Sequence, residues 1–95
     1  MKVRVKYFTT LRELAGTKED ELDLKDGCRL LALIETVALR YGDEAFAYLH
    51  VADGGRIDPS IRFLVNGVDA QRLAGFETAL KAGDVVAIIP PVGGG

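Results

Sequence analysis

A single cysteine, Cys28, among 95 residues rules out an intramolecular disulfide, which suits a reducing compartment. A single histidine, His50, leaves one imidazole and one thiol as the strong metal donors. No spacing of carboxylates completes a ligand set around them, so His50 reads as a surface or packing residue. No apolar run approaches the ~20 residues that cross a bilayer. No signal-peptide pattern opens the chain, because residues 2–8 already alternate as a strand does. The chain also lacks a basic stripe. Arg4, Lys6, Arg12, Lys18 and Lys25 are interspersed with Glu13, Glu19, Asp20, Glu21 and Asp23, and the net charge is −2, which speaks against nucleic acid as the main partner. The expectation is a cytoplasmic protein without membrane or nucleic-acid partners.

The usual catalytic sets are missing too. A phosphate-cradling glycine loop needs a strand before it and a helix after it. Gly54-Gly55 precedes a strand, and Gly93-Gly94-Gly95 has no helix behind it. Cys28 stands at an expected helix start, where the dipole would lower its pKa; the alternative is a small residue at a helix terminus. Neither residue carries a function here, and no enzyme is expected.

What is present is a pattern of elements. Hydrophobic residues make up 48% and charged residues 27%, ordinary for one globular domain spanning 1–95. A chain of this size buries roughly 60–68% of its unfolded surface, enough for one core. In KVRVKYF, Val3, Val5 and Tyr7 alternate with Arg4 and Lys6, the period of a half-buried strand. Phe8 then breaks the alternation and is expected to be exposed or semi-exposed. Thr9 or Thr10 can cap a short helix that Gly16 closes, and Thr10 with Glu13 has capping-box spacing. Leu22 and Leu24 mark a second strand over 20–24. From Arg29 to Tyr41, Leu30, Leu33, Ile34, Val37 and Tyr41 make one apolar helix face, widened by Leu31 and Ala38. Residues 43–50 add a helical turn, and 52–60 read as loop. Ile61–Val65 is a strand ended by Asn66-Gly67, a hairpin signal because both residues accept positive φ. A short return strand follows near Val68, then a loop or helical turn over 70–82, then a strand from Val85 to Ile89. One helix on one mixed sheet is a two-layer α+β layout.

The last six residues, Pro90, Pro91, Val92, Gly93, Gly94 and Gly95, read as an extended tail. Proline fixes φ and favours polyproline II, and three residues without side chains follow Val92. Such a tail can enter a narrow channel and present the Gly95 carboxylate to another enzyme. A carboxylate reacts only once activated, so an ATP-using partner is implied. The competing reading is a frayed, inert terminus.

Three segments taken together resemble the MoaD/ThiS family of β-grasp sulfur carriers, especially the small subunit of molybdopterin synthase. They are Val3–Phe8 with LRELAG (residues 11–16), Phe63-Leu64-Val65-Asn66-Gly67, and GDVVAIIPPVGGG (residues 83–95). The resemblance covers nearly the whole chain. It implies a ubiquitin-like β-grasp fold and a terminal glycine, Gly95 preceded by Gly94, that a MoeB-like (E1-like) adenylyltransferase adenylates with ATP. A sulfur donor system then makes the thiocarboxylate, which supplies sulfur for the molybdopterin dithiolene inside a MoaE-like large subunit. No cofactor is bound by the carrier itself. Phe8 and Arg12 match positions of partner contact, and an apolar, partner-binding patch is expected near Phe8 and Ile89; a sheet-edge core role competes for Phe8. Ile88-Ile89 stands where the family usually has an aromatic pair, and Gly93 where Thr or Ala is frequent. The segment from Asp43 to Ser60 is longer than in compact members. Two other functions stay open: a protein modifier linked to lysines through Gly95, as in archaeal MoaD-like proteins, and an inert β-grasp module. Thiamine biosynthesis is a weaker variant.

Overall fold

A computed structural model describes residues 1–49, 57 and 60–91. Five strands form one mixed sheet: β1 (Lys2–Tyr7), β2 (Glu19–Asp23), β3 (Arg62–Val65), β4 (Val68–Asp69) and β5 (Val85–Ile89), in the order β2-β1-β5-β3-β4. Among the described residues three helices accompany it: α1 (Thr9–Ala15), α2 (Leu30–Arg40) and α3 (Asp43–Leu49). Two 3₁₀ turns, Ala70–Arg72 and Gly75–Glu77, lie between β4 and β5. This is the ubiquitin-like β-grasp arrangement, α+β in class, that the resemblance implies.

The sheet packs its inward parity onto α2. Val3, Val5 and Tyr7 of β1, Val86 and Ile88 of β5, and Phe63 and Val65 of β3 are buried against Leu30, Leu33, Ile34, Val37 and Ala38. Each such side chain contributes about 1.5–3 kcal/mol by leaving water. Tyr41 lies just past the helix as its C-cap and is only half-buried. The apolar spacing in α2 thus matches the buried face, whereas Leu39, off that face, is 72% exposed.

Asn66 and Gly67 have φ of 52° and 83°, the two left-handed residues of a type I′ turn, and Val65 pairs directly with Val68 across it. Gly16 caps α1 at φ 72° and donates its N–H to the Arg12 carbonyl. The helix start differs from expectation. Phe8 is the N-cap and no side chain caps α1, so the Thr10–Glu13 capping box is not formed. Thr10 lies inside the helix and not at its cap, so its hydroxyl is not placed to take the cap's part in such a box. Residues 43–49 form a full helix rather than one turn, with Ala45 and Leu49 buried. The 3₁₀ turn over Ala70–Arg72 is started by Asp69, whose carboxylate accepts the Gln71 N–H at 2.9 Å.

One polar cluster lies among the packed elements. The Asp20 carboxylate accepts hydrogen bonds from the hydroxyls of Tyr7, at 2.8 Å, and Tyr41. Arg40 Nε stands 3.8 Å from the same oxygen. The two tyrosine rings meet edge to face with centroids 5.8 Å apart. Asp20 thereby joins β2, the end of β1 and the end of α2. Burial, then the Asp20 carboxylate, pushes both phenol pKa values above the ordinary tyrosine range. A raised phenol pKa means that the folded chain favours the neutral form. The resulting stability is complete below the unfolded tyrosine value of about 10 and is lost as pH rises beyond it.

Two outcomes follow. Asp20→Ala, which leaves the Tyr7 hydroxyl without its acceptor, is expected to cost about 2 kcal/mol, seen as a fall in melting temperature of roughly 10 °C. In an alkaline titration followed at 295 nm, Asp20→Asn should bring the Tyr7 and Tyr41 phenols only part of the way back toward their ordinary range, since burial remains the larger cause.

Candidate functional site

The site is set by which strands lie side by side. β5 runs parallel to β1, with Arg4 opposite Val85 and Tyr7 opposite Ile88. Parallel neighbours end at the same edge of the sheet, so the chain leaving β5 emerges beside the β1–α1 junction. The register ends at Tyr7 opposite Ile88; continued by one residue it sets Phe8 opposite Ile89, both with the parity that turns away from α2. Pro90 is fully buried and Pro91 half-buried, so the first proline belongs to the packed body. Val92, Gly93, Gly94 and Gly95 lie outside the described residues, and so does His50.

The outward face has an apolar centre. β5 is apolar on both parities: Val86 and Ile88 are buried, while Val85, Ala87 and Ile89 are half-buried on the open side. Leu64 lies opposite Ala87, and Arg62 opposite Ile89. Phe8 has the outward parity of Arg4 and Lys6 and is 38% exposed, which removes its competing reading as a core residue. Arg12, on the first turns of α1, is exposed and shares a shallow groove with Lys6, Tyr7, Phe8, Lys18 and Glu19.

On the β1–β2 flank the charges compensate one another. Lys2 pairs with Glu21 at 3.8 Å, and Arg4 with Glu19 at 3.2 Å and Glu21 at 3.6 Å. All are exposed, so each pair adds little stability. Lys6, Arg12, Lys18 and Arg62 make no ion pair among the described residues. An apolar centre with a polar, cationic rim is the composition of a protein-docking surface.

The structure therefore brings Phe8, Arg12 and Ile89 to the edge where the tail departs. It adds Lys6, Lys18, Leu64 and Ala87, which sequence reasoning missed. A signal for the apolar ones was present in VVAII and RFLV, whose outward positions are apolar where a solvated face would be polar. Cys28 does not behave as a helix-start thiol. It lies two residues before α2, its carbonyl accepts the Leu80 N–H at 3.0 Å, and burial raises its pKa instead of the dipole lowering it. Among the described residues no three His, Cys, Asp or Glu side chains converge as a metal site. No helix there is long and apolar enough to cross a membrane.

The model of the ThiS family matches residues 5–95. Small archaeal modifier protein 3 of Haloferax volcanii is 30% identical over 95 residues, covering all of both chains. The molybdopterin synthase sulfur carrier subunit of Chlamydomonas reinhardtii is 30% identical over 96 residues, again covering all of both. Among solved structures, the small archaeal modifier protein 1 of Methanosarcina acetivorans superposes with a TM-score of 0.81 at 33% identity, covering 99% of this chain and 96% of that one. With its strand order, its hairpin and this breadth of likeness, the chain belongs to the ThiS family of ubiquitin-like sulfur carriers and modifiers.

Proposed function

We propose that this chain is the sulfur carrier of a molybdopterin synthase, with Gly95 as the acceptor. The observation that supports it most is the parallel β1–β5 pairing, which roots the tail beside an exposed aromatic residue and an apolar sheet face. A partner that grips Phe8, Arg12 and Ile89 finds the glycines within reach of its own active site. Gly93 and Gly94 let the terminal carboxylate approach where side chains would collide.

The chemistry belongs to the partners. The Gly95 carboxylate attacks the α-phosphorus of ATP on a MoeB-like adenylyltransferase, and pyrophosphate leaves. A sulfur donor system then displaces AMP from the acyl-adenylate, leaving a thiocarboxylate. In a MoaE-like large subunit that sulfur passes to the forming dithiolene. This chain contributes recognition, reach and an unhindered carbonyl.

A second reading has its own support. Small archaeal modifier protein 3 matches the full length at the same identity as the Chlamydomonas reinhardtii carrier subunit. Conjugation also starts from the adenylate, but a lysine amine then displaces AMP to give an isopeptide.

The intact mass of the chain isolated from its own cells tests both. A species heavier by the exchange of one oxygen for sulfur supports the carrier, and branched peptides ending in Gly95 on lysines support the modifier. A free carboxylate alone, with no linked lysines, leaves the inert module. Deleting Gly95 is expected to abolish loading and leave the melting temperature unchanged, because a terminal residue contributes little to the core. Phe8→Ala is expected to raise KM in adenylation at least about tenfold, the effect of losing an aromatic anchor, again without loss of fold.

A further inference from the structure

Among the described residues, two other than glycine have positive φ: Asn66 at 52° and Thr9 at 49°. Asn66 is accounted for by the hairpin turn. Thr9 is not, since a β-branched residue in this region is an outlier. Its hydroxyl makes no cap, and the residue is exposed, so none of its own contacts repays the strain.

The cause lies on either side. Tyr7 is fixed by burial, by its hydroxyl on Asp20 and by its N–H on the Lys18 carbonyl at 2.8 Å. Leu11 is fully buried under α1. Between these anchors three residues must end the strand and begin the helix. Phe8 keeps an extended backbone, φ −132° and ψ 150°, and with it the outward parity of β1. Thr9 takes the whole reversal.

We infer that Thr9 is a positioning residue: its left-handed backbone holds the Phe8 ring on the open sheet face beside Ile89, at the root of the tail. Strain kept at one residue by an over-determined frame is a known way of presenting a binding group in advance. The inference rests on the proposed role of Phe8 in adenylation, and its test separates the two.

Thr9→Asn keeps the left-handed turn with a residue that tolerates it. It should raise the melting temperature by about 4 °C, retain nuclear Overhauser contacts between the Phe8 ring and the Ile89 methyls, and leave KM unchanged. Thr9→Pro fixes φ near −65° while suiting a first helical position. It should lose those contacts and raise KM about tenfold in ATP–pyrophosphate exchange by the E1-like adenylyltransferase of the same organism, with kcat within about twofold. Combined with Phe8→Ala, it should raise KM no further than Phe8→Ala alone. No thermal gain in Thr9→Asn, loss of the Phe8–Ile89 contacts in that variant, or multiplying effects in the double variant would each overturn the inference. The Thr9→Asn comparison decides even where Thr9→Pro fails to fold. If the wild-type chain is not adenylated, the carrier and modifier readings fall, while the melting and contact measurements still decide the role of Thr9.

Discussion

The parallel pairing of β1 with β5 is the constraint on which the rest of the molecule depends. Antiparallel neighbours can be joined by two residues, but parallel ones require a long crossover. Here everything between Tyr7 and Val85 is that crossover, and it is where α2, α3 and the β3–β4 hairpin are placed. The pairing joins the first and last strands at the centre of the sheet. It also makes their C-terminal ends coincide, so the β1–α1 junction and the departure of the tail are neighbours in space though some eighty residues apart in sequence. Core and site come from the same pairing.

The Asp20 cluster reinforces that edge. Tyr7 is the last residue of β1, and its hydroxyl is held by a carboxylate that also accepts from Tyr41 at the end of α2. A part-buried carboxylate with two phenolic donors and a guanidinium nearby is well satisfied, so its desolvation is offset. Rigidity is thus concentrated one residue before Phe8. Beyond that point the chain turns sharply, and the exposed ring is carried by a fixed base rather than by a loose loop.

Much of this was legible in the sequence, for identifiable reasons. The alternation of KVRVKY, the apolar spacing from Leu30 to Val37, and Asn66-Gly67 each report a local backbone geometry, and local geometry is what short patterns encode. The capping box over Thr10 and Glu13 matched a pattern too, but the path of the chain out of β1 decided against it. Asp20 gave no warning, because nothing in EDELD distinguishes the carboxylate that meets two tyrosines from those that face water. Its partners are brought by β1 and α2, which is tertiary information. The thiol of Cys28 went the same way: proximity to a helix start suggested one pKa shift, and packing produced the opposite. The outward apolar residues of β5 were legible as composition, but their meeting with Phe8 required the strand order.

The division between carrier and modifier does not lie in this fold. Both begin with the same carboxylate and the same activated acyl group, and they part only when sulfur or an amine displaces AMP. On the proposed reading, a domain that is held and presents its end needs stability away from the end and recognition near it. That is how the residues are distributed. The large buried side chains gather between α2 and the inward face of β1, β3 and β5. The cations Lys6, Arg12, Lys18 and Arg62, which make no ion pair among the described residues, and the outward apolar residues gather where the tail departs. Pro90 is packed into the body, which fixes the direction in which the chain leaves β5. Because the core and the proposed recognition surface occupy opposite faces of β1 and β5, substitutions on the open face would alter partner choice without loosening the fold. The same scaffold can then serve a sulfur-transfer partner or a conjugating one through changes confined to that face.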